Sequence, residues 1–529
     1  MSLIVLSTIN ARYVHAALGV RYLAANMGEL EPETKLIEFV LGARPADMVE
    51  TILAEKPRIA GFGVYIWNAE ETTRAVALLK RVAPEVVIVV GGPEVSHEVD
   101  EQRICALADH VITGWGDITF PGLCREVLAG NPPREKVIAG AQPQLRDIAL
   151  PYALYTEEDI ARRFLYVEAS RGCPFKCEFC LSALDKTAWP FDVDRFLEEI
   201  AALHARGARH FRFVDRTFNL KASTSLKILE FFLDRLDERL FVHFEVIPDH
   251  LPEKLQQAIT RFPAGALQFE VGIQTWNPQV QALISRKQDN ARAAANLAWL
   301  RNHSNALIHV DLIAGLPGED LESFGRGFDR LYALRPHEIQ VGVLKRLRGT
   351  AIARHTEAFG MRYNPDPPYN VLATDRICFA DMQRIARFAR YWEMIGNSGR
   401  FRGALPLLLL GKARTGPAAD GPFDAAQDRP FDRAQDRPFS RFMRFADWLF
   451  ARTGKTHEIA LERLVALVRE FLTTQLAVEP ALAAEVLQRD YEASGAKGRL
   501  AFVEKGVRPG GPRSASERRR LRQARHLTA

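Results

Sequence analysis

Short apolar runs alternate with amphipathic helical patterns in the first 130 residues of this 529-residue chain. The runs predict strands at Leu3–Ser7, Lys35–Phe39, Ile59–Tyr65, Val86–Val90 and His110–Thr113. Helical stretches such as Ala69–Val82 lie between them. This alternation predicts an α/β fold with a doubly wound, Rossmann-like parallel sheet over residues 1–130, because each parallel strand needs a crossover connection. Strands that are apolar almost throughout indicate a sheet covered on both faces.

The alternation resumes after a proline-containing connector over residues 131–165 and continues to residue 349. Strands are predicted at Leu165–Glu168, His210–Val214, Val242–Val246, Leu267–Ile273, Ile308–Ile313 and Glu338–Val343. Helices such as Asp192–Ala205 and Ser223–Arg235 fit between them. Six βα units in 166–349 predict a partial (β/α)6, TIM-like barrel, and an open α/β sheet remains the alternative, since length does not separate the two.

Residues 350–508 have a different character and predict a mostly helical C-terminal domain, with amphipathic patterns over 375–397 and 441–490. An octamer ending in proline occurs twice within 415–440, as Phe423 to Pro430 and Phe431 to Pro438. Two polar copies cannot bury a core, so the segment is interpreted as a low-complexity surface insertion. Residues 509–529 are predicted to be a disordered basic tail.

Composition limits the class of protein. Hydrophobic residues make up 47% and charged residues 26%, values typical of a soluble protein. No apolar run is long enough for a membrane span, and the N-terminus lacks the basic flank of a signal peptide. The chain is therefore predicted to be cytoplasmic. The net charge of +5 depends mainly on six arginines between Arg513 and Arg525, so nucleic-acid binding is not expected of the body of the chain.

Three of the six cysteines lie within eight residues, at Cys173, Cys177 and Cys180. In a reducing compartment such a cluster indicates metal binding rather than disulfides. Zinc normally takes four protein ligands, and no fourth Cys or His follows within twenty residues. Three close thiolates on a loop can hold three irons of a cubane. Cys105, Cys124 and Cys378 are isolated in apolar stretches, and each is predicted to be a buried small hydrophobe.

The segment from Arg171-Gly to Cys180, placed after the first predicted barrel strand, resembles the signature of the radical S-adenosylmethionine (SAM) superfamily. The resemblance implies a [4Fe–4S] cluster whose fourth iron is chelated by SAM. Reductive cleavage of SAM would then yield a 5′-deoxyadenosyl radical. An electron donor such as flavodoxin or ferredoxin is implied as a partner.

Polar residues and glycines at the ends of the later strands support this resemblance, because catalytic residues of parallel barrels collect at strand C-termini. Asp215 stands where the family more often has glutamate, in the region that binds the SAM amino group. The SAM-binding set implied by the resemblance is Phe179, Asp215, Thr217, Glu245, Glu270, Gln274 and Gly315. Other catalytic residues are not assigned.

Loops at the carboxyl edge of the N-terminal sheet are rich in glycine and small polar residues. Glycine there lets a large flat ligand approach the backbone, while the absence of G-x-G-x-x-G disfavours a dinucleotide. Placed before a radical SAM core, the pattern resembles the cobalamin (B12)-binding domain of B12-dependent radical SAM enzymes. The implied cobalamin contacts are Thr8, Asn10, Tyr13, Gly63, Tyr65, Gly91, Gly92, Glu94, Gly114, Gly116 and Asp117.

Cobalamin domains of the mutase type use Asp-x-His-x-x-Gly, whose histidine ligates cobalt. That motif is absent, and His15 with Gly19 is only a distorted version of it. His15 is predicted to face solvent or a helix neighbour, and cobalamin is expected to bind base-off without a protein histidine on cobalt.

The domain order predicts a cobalamin-dependent radical SAM methyltransferase acting on an unactivated carbon. A radical SAM cyclase or rearrangement enzyme without methyl transfer is the alternative, because loops build the substrate pocket. A third hypothesis, an RNA-acting iron–sulfur protein, has only the basic tail in its favour. The sequence leaves open the substrate, which is expected to be a small molecule or is unknown, and also the oligomeric state.

Overall fold

A computed structural model describes residues 3–410, 437–496, 498 and 500. The predicted repeat insertion falls outside these residues apart from Arg437 to Ser440, and the predicted basic tail lies wholly outside them. The chain divides into two compact units. The first contains residues 1–245, 345–354 and 363–370, and the second contains 246–344, 355–362 and 371–529.

The strands alternate with helices over the whole region where the sequence predicts alternation. The strands are β1 Ile4–Asn10, β2 Thr34–Val40, β3 Ile59–Gly63, β4 Val87–Gly91, β5 His110–Gly114, β6 Val137–Gly140, β7 Leu165–Val167, β8 Ser170–Gly172, β9 Ala188–Pro190, β10 His210–Phe213, β11 Phe241–Val246, β12 Leu267–Gln274, β13 Leu307–Ala314, β14 Glu338–Val343, β15 Arg362–Tyr363 and β16 Val371–Ala373.

The helices of the α/β part range from 5 to 14 residues. They are α1 Leu18–Ala25, α2 Pro45–Ala54, α3 Ala69–Val82, α4 Arg103–Leu107, α5 Thr119–Leu128, α6 Glu157–Arg162, α7 Val193–Ala205, α8 Ala222–Leu233, α9 Glu253–Ile259, α10 Pro278–Leu283, α11 Asn290–His303 and α12 Leu321–Ala333. The C-terminal helices are α13 Phe379–Ile395, α14 Ala404–Leu410, α15 Pro438–Thr453, α16 Leu461–Thr474 and α17 Pro480–Ala493.

The first unit contains a six-stranded sheet in the order β2-β1-β3-β4-β5-β6. Every neighbouring pair in it is parallel. The order reverses at β1 and β3, and ligands of doubly wound sheets bind at the carboxyl edge beside such a switch point. Apolar strand residues such as Val5 and Ile88, both 0% exposed, pack against the crossover helices. The predicted Rossmann-like architecture is therefore confirmed.

The first unit also holds β7, β10 and β11, which are parallel neighbours in that order. On β10, Phe211 and Phe213 pack against Phe232 of α8. The antiparallel pair β8 and β9 encloses the cysteine loop, with Gly172 opposite Ala188. Alternate residues of the parallel strands therefore face the helices, and the rest face the opposite side.

The second unit holds β12, β13 and β14, again parallel, followed by the C-terminal helices. Aromatic side chains form much of the helical core, where Phe388 and Trp392 of α13 contact Phe328 and Phe442. The mostly helical character predicted after residue 350 is confirmed. Among the residues described, no helix is both long and apolar enough to cross a membrane.

Two predictions about the isolated cysteines hold and one is wrong. Cys105 and Cys124 are buried, at 2% and 0% exposure. Cys378 is exposed, because it occupies the N-cap position of α13, where the chain enters the helix from the surface. Its thiol contacts Oδ2 of Asp381 at 3.4 Å.

Candidate functional site

A cavity of about 740 Å³ opens at the carboxyl edge of the six-stranded sheet, and its volume lies within the usual range for ligand pockets, about 300–1,000 Å³. Predicted cobalamin contacts line it, namely Asn10, Gly63, Tyr65, Gly91, Gly92, Gly114, Gly116 and Asp117. Its other wall belongs to the segments around the cysteine loop and β10, and contains Tyr166, Glu168, Ser170, Arg171, Gly172, Ser182, Asp185, Val214 and Arg216. One cavity within the first unit thus joins the two regions that the sequence singled out.

Glycine is needed at the end of β4. Gly92 has φ +115°, and a Cβ there would lie 2.5 Å from the carbonyl oxygen of Val64. Only glycine adopts this conformation without strain. The backbone of β3 and β4 therefore stays close together where both strands meet the cavity, and the glycine-lined edge fits a large flat ligand.

An aromatic pair forms part of the same rim. The rings of Tyr65 and Trp67 stack with centroids 4.5 Å apart and an interplanar angle of 6°. The Trp67 indole N–H donates to the Ile9 carbonyl at 3.0 Å. Asn68, which sequence reasoning missed, is fully buried and donates to the same carbonyl at 3.0 Å, while its Oδ1 accepts from the Tyr65 amide. Its position just after the glycine-rich end of β3 is the sequence signal that could have identified Asn68.

Three predicted cobalamin contacts do not line the cavity. The Thr8 hydroxyl donates to the Gly63 carbonyl at 2.8 Å, tying β1 to β3. The Tyr13 hydroxyl contacts the carboxylate of Glu158. Glu94, 4% exposed, accepts a hydrogen bond from the Tyr369 hydroxyl at 2.6 Å and pairs with Arg348 at 3.2 Å.

His15 lines the cavity, contrary to the prediction that it faces solvent or a helix neighbour. Its Nδ1 lies 2.6 Å from the Tyr166 hydroxyl, and the two rings stack. Burial lowers the pKa of His15 to about 4, with a further contribution from Arg212 and Arg12. The imidazole is therefore neutral at pH 7.

Arg171 connects the cavity wall with the cysteine loop. Its guanidinium pairs with Asp117 at 2.9 Å and with Glu168 at 2.7 Å. It also lies 4.4 Å from the Tyr22 ring centroid and 5.0 Å from that of Trp115. Burial raises the pKa of Glu168 despite its pairing with Arg171. The sequence marked Arg171 only as part of a motif, since its partner Asp117 lies 54 residues earlier.

The three clustered cysteines are not joined in disulfides, and Cys173 and Cys177 are buried while Cys180 is partly buried. The Cys180 amide donates to the Cys177 carbonyl at 3.0 Å, which closes the loop. Burial raises the pKa of the Cys173 thiol to about 11. Within the described part of the chain, no three His, Cys, Asp or Glu side chains converge on a position for a single metal ion. A cubane takes one thiolate for each iron, so its ligands need not converge on one point, and three cysteine side chains on one loop fit it.

Four of the predicted SAM contacts lie in the first unit, and Asp215 bonds to the chain just before this loop. Asp215, 3% exposed, accepts from the Ser170 hydroxyl at 2.6 Å and the Ala169 amide at 3.0 Å. Thr217 is buried, at 7% exposure. Glu245 accepts two hydrogen bonds from Arg216, at 2.7 and 2.9 Å. Phe179 is half-buried.

In the second unit, Glu270 and Gln274 lie on β12, and Gly315 follows β13. The pairing of β12 with β13 shifts between Gly272 and Gln274, as at a β-bulge, and Gln274 has φ +67°. Bulges and positive φ at non-glycine residues are often found at functional sites. The buried Gln274 Oε1 has no hydrogen-bond partner among the residues described. An unsatisfied acceptor fits a ligand that offers donors, as SAM does through its amino and hydroxyl groups.

Gly315 has φ +84°, and a Cβ there would lie 2.5 Å from the Val371 Cγ1 atom. A side chain at this position would displace the core beneath the strand end. Asp311, four residues earlier on β13, lies 3.3 Å from Nε2 of His309. Burial raises the pKa of Asp311, and His309, which also contacts Glu338, has a pKa well above its ordinary value because of these carboxylates, which outweigh its burial.

Family models match both regions of the chain that line the cavity. The B12 binding domain model matches residues 4–124. The Radical SAM superfamily model matches residues 167–331. The chain carries a B12-binding domain followed by a radical SAM domain. These two families imply cobalamin, SAM and a [4Fe–4S] cluster as cofactors. A model for a protein of unknown function, DUF4080, matches residues 357–416.

Two curated relatives are methyltransferases by name. An uncharacterized methyltransferase of Pyrococcus horikoshii is 28% identical over 236 residues, covering 40% of this chain and 51% of the relative. The cobalamin-dependent radical SAM methyltransferase TokK of Streptomyces tokunonensis is 24% identical, covering 54% of this chain and 46% of TokK. The chain thus spans about half the length of these relatives.

A solved structure has a similar fold over nearly the whole length of this chain. The cobalamin-dependent SAM radical enzyme OxsB, solved with aqua-cobalamin and SAM bound, matches with a TM-score of 0.58 and 13% identity. The match covers 99% of this chain and 83% of OxsB.

Proposed function

We propose that this protein is a cobalamin-dependent radical SAM methyltransferase that methylates an unactivated carbon of a small-molecule substrate. The observation that carries the proposal is the single cavity whose walls come from the B12-binding sheet edge and from the segments around the cysteine loop. A cavity with these two walls would allow a corrinoid and a cluster-bound SAM to react with the same substrate. The names of both curated relatives support methyl transfer.

The residues of the chain have distinct roles in this proposal. Cys173, Cys177 and Cys180 bind three irons and leave the fourth for SAM, while the glycine-lined strand ends accept the corrinoid. When bound, the cluster supplies the electron that cleaves SAM, and the corrinoid supplies the methyl group. A flavodoxin or ferredoxin is the proposed electron donor.

Two side chains that follow β10 support this arrangement. Asp215 fixes the chain before Cys173 through Ala169 and Ser170. Arg216 extends from the same strand end into the cavity wall and is held by Glu245. Aromatic and aliphatic residues such as Tyr22, Leu23 and Phe120 form other parts of the wall, as in most ligand pockets, which are largely apolar with a few polar groups.

Anaerobic reconstitution with iron, sulfide, a reductant, SAM and methylcobalamin tests the proposal. Wild-type protein is expected to retain iron and cobalt, produce 5′-deoxyadenosine, and move label from methyl-labelled SAM to the corrinoid. Cys173→Ala, Cys177→Ala and Cys180→Ala are expected to abolish 5′-deoxyadenosine. Cys378→Ser is the matched control, since this thiol is exposed and outside the loop, and should behave as wild type. Formation of 5′-deoxyadenosine without retained cobalamin would refute methyl transfer.

A radical cyclisation or rearrangement is the second candidate. OxsB, which shares the fold over 99% of this chain, is described as a radical enzyme rather than as a methyltransferase. A product that gains no labelled methyl group while SAM is cleaved would favour this candidate.

A further inference from the structure

The buried ion pairs of Arg171 connect two places where cofactors are expected. Asp117 follows β5 in the B12-binding domain and lines the cavity. Glu168 follows β7, and Arg171 itself precedes Cys173 by two residues. The side chains of all three are at most 14% exposed. A guanidinium can satisfy two carboxylates at once because its donors form a rigid planar fork.

Aromatic rings enclose the same guanidinium. Tyr22, Trp115 and Phe191 lie 4.4, 5.0 and 5.5 Å from it. Tyr22 and Trp115 also line the cavity. A ligand that contacts the Gly114-to-Asp117 loop therefore touches the groups that hold Arg171, and cation–π contacts strengthen when water is excluded.

A second connection reaches the cysteine loop from the B12-binding domain. Arg348 pairs with Glu94 and Glu98 after β4. A few residues later, the Ile352 amide donates to the Glu178 carbonyl at 2.9 Å, and Arg354 pairs with the Glu178 carboxylate. Glu178 lies between Cys177 and Phe179. The loop is thus held on both sides by groups anchored to that domain.

We propose that Arg171 is a positioning residue that couples corrinoid binding in the cavity to the cluster-binding conformation of the cysteine loop. The inference rests on the proposed function. A corrinoid that orders the Gly114-to-Asp117 loop fixes Asp117, which fixes Arg171 and the chain leading into Cys173. Coupling between two binding sites is reciprocal, so the cluster must favour the corrinoid by the same factor.

The test compares hydroxocobalamin dissociation constants of the full chain with the cluster reconstituted and with iron removed by a chelator. Wild-type protein is expected to bind hydroxocobalamin at least about fivefold tighter with the cluster, the lower end of typical couplings. At a fixed chelator concentration, hydroxocobalamin should raise the equilibrium iron content correspondingly. Both effects should fall to near onefold in Arg171→Gln and Asp117→Asn. Arg171→Lys keeps the positive charge but lacks the planar fork of guanidinium donors, so its coupling should lie between those of wild type and Arg171→Gln.

Arg125→Gln is the control, because Arg125 forms an exposed ion pair with Glu29 in the same domain, and its coupling should equal that of wild type. If Arg171→Gln does not fold, Asp117→Asn and Arg171→Lys decide the question. A wild-type ratio of one, with both groups bound, overturns the coupling but leaves the proposed function intact. Wild-type coupling in Asp117→Asn and the Arg171 variants overturns the role of Arg171. Failure of wild-type protein to retain hydroxocobalamin overturns both proposals.

Discussion

Asp215 accepts a hydrogen bond from the Ser170 hydroxyl at 2.6 Å, with its carboxylate 3% exposed. The same carboxylate accepts from the Ala169 amide at 3.0 Å. The end of β10 is thereby joined to the chain just before the cysteine loop.

Asp215→Ala should therefore release the entry to that loop. The buried Ala169 amide and the partly buried Ser170 hydroxyl would lose their acceptor, and a buried donor left without a partner costs about 1–3 kcal/mol. We expect lower thermal stability and at least a severalfold loss of iron after anaerobic reconstitution, measured by metal analysis. Asp192→Ala is the comparison, because it removes two hydrogen bonds from backbone amides at the exposed N-terminus of α7. It should lower stability while iron content stays at the wild-type level. Equal iron contents in the two variants would contradict the expectation.

Glu319 should make the stability of the protein depend on pH. Burial raises its pKa from an ordinary value of 4.5 to about 7, although Thr275 donates to it at 2.7 Å. Between these pH values the folded state binds more protons than the unfolded state, so stability falls as pH rises. Each unit of pKa corresponds to about 1.4 kcal/mol, which makes the total effect about 3 kcal/mol.

Glu319→Gln keeps the shape and removes this titration. Its unfolding midpoint relative to wild type should rise between pH 5 and pH 8, as followed by urea denaturation at several pH values. Glu322→Gln is the control, since Glu322 lies three residues later in the first turn of α12 and is exposed. Parallel pH profiles for wild type and Glu319→Gln would be inconsistent with the buried, protonated carboxyl.

Gly92→Ala should damage the corrinoid side of the cavity. A positive φ combined with a Cβ 2.5 Å from the Val64 carbonyl oxygen requires the backbone to move, and we expect a loss of more than about 1 kcal/mol. Hydroxocobalamin binding should weaken along with stability. Gly122→Ala is the control, because Gly122 lies within α5 with nothing within 4 Å of its Cβ position. It should stabilise the protein by up to about 1 kcal/mol. Normal stability and binding in Gly92→Ala would mean that this strand end does not need glycine.

His15 should not ligate cobalt, even though it lines the cavity. A metal-bound histidine usually donates its second ring N–H to an acceptor that raises ligand basicity. The Nδ1 atom of His15 already contacts the Tyr166 hydroxyl at 2.6 Å and the two rings stack, while the positive charges of Arg212 and Arg12, which contribute to the lowered pKa of His15, oppose a further cation at the ring. The electron paramagnetic resonance spectrum of bound cob(II)alamin should lack nitrogen splitting from a protein imidazole. It should not change in His15→Gln, and splitting that disappears in this variant would reverse the assignment.

The strands and helices that pack against a core could largely be predicted from the sequence. The limits of β14 and α3 coincide with the predicted ones, and most other predicted strands differ by one or two residues at an end, while β1 continues three residues past the predicted Ser7 to Asn10. The sequence reveals these elements because their apolar side chains repeat with the period of the element and pack in the core. The strand β6, Val137–Gly140, was missed within the predicted connector. It is short and half-exposed, and its place depends on backbone pairing with β5, which hydrophobic periodicity does not reveal.

The candidate site was predictable where local chemistry decides it and not where partners are distant in sequence. Clustered cysteines and strand-end glycines are visible locally. In contrast, Glu94 turns from the cavity to Arg348, which is 254 residues away. Whether a polar side chain faces a ligand or a buried partner depends on such long-range pairs, and no local pattern encodes them.

The path of the chain through the first unit constrains how the protein is made. Residues 345–354 and 363–370 belong to the same unit as the B12-binding sheet. Arg348 and Tyr369, in these two segments, complete the environment of Glu94. During synthesis, Glu94 leaves the ribosome about 250 residues before Arg348, its buried partner. Until the radical SAM region and the segments that follow it have been translated, the Glu94 carboxylate of the B12-binding region therefore lacks its partners Arg348 and Tyr369.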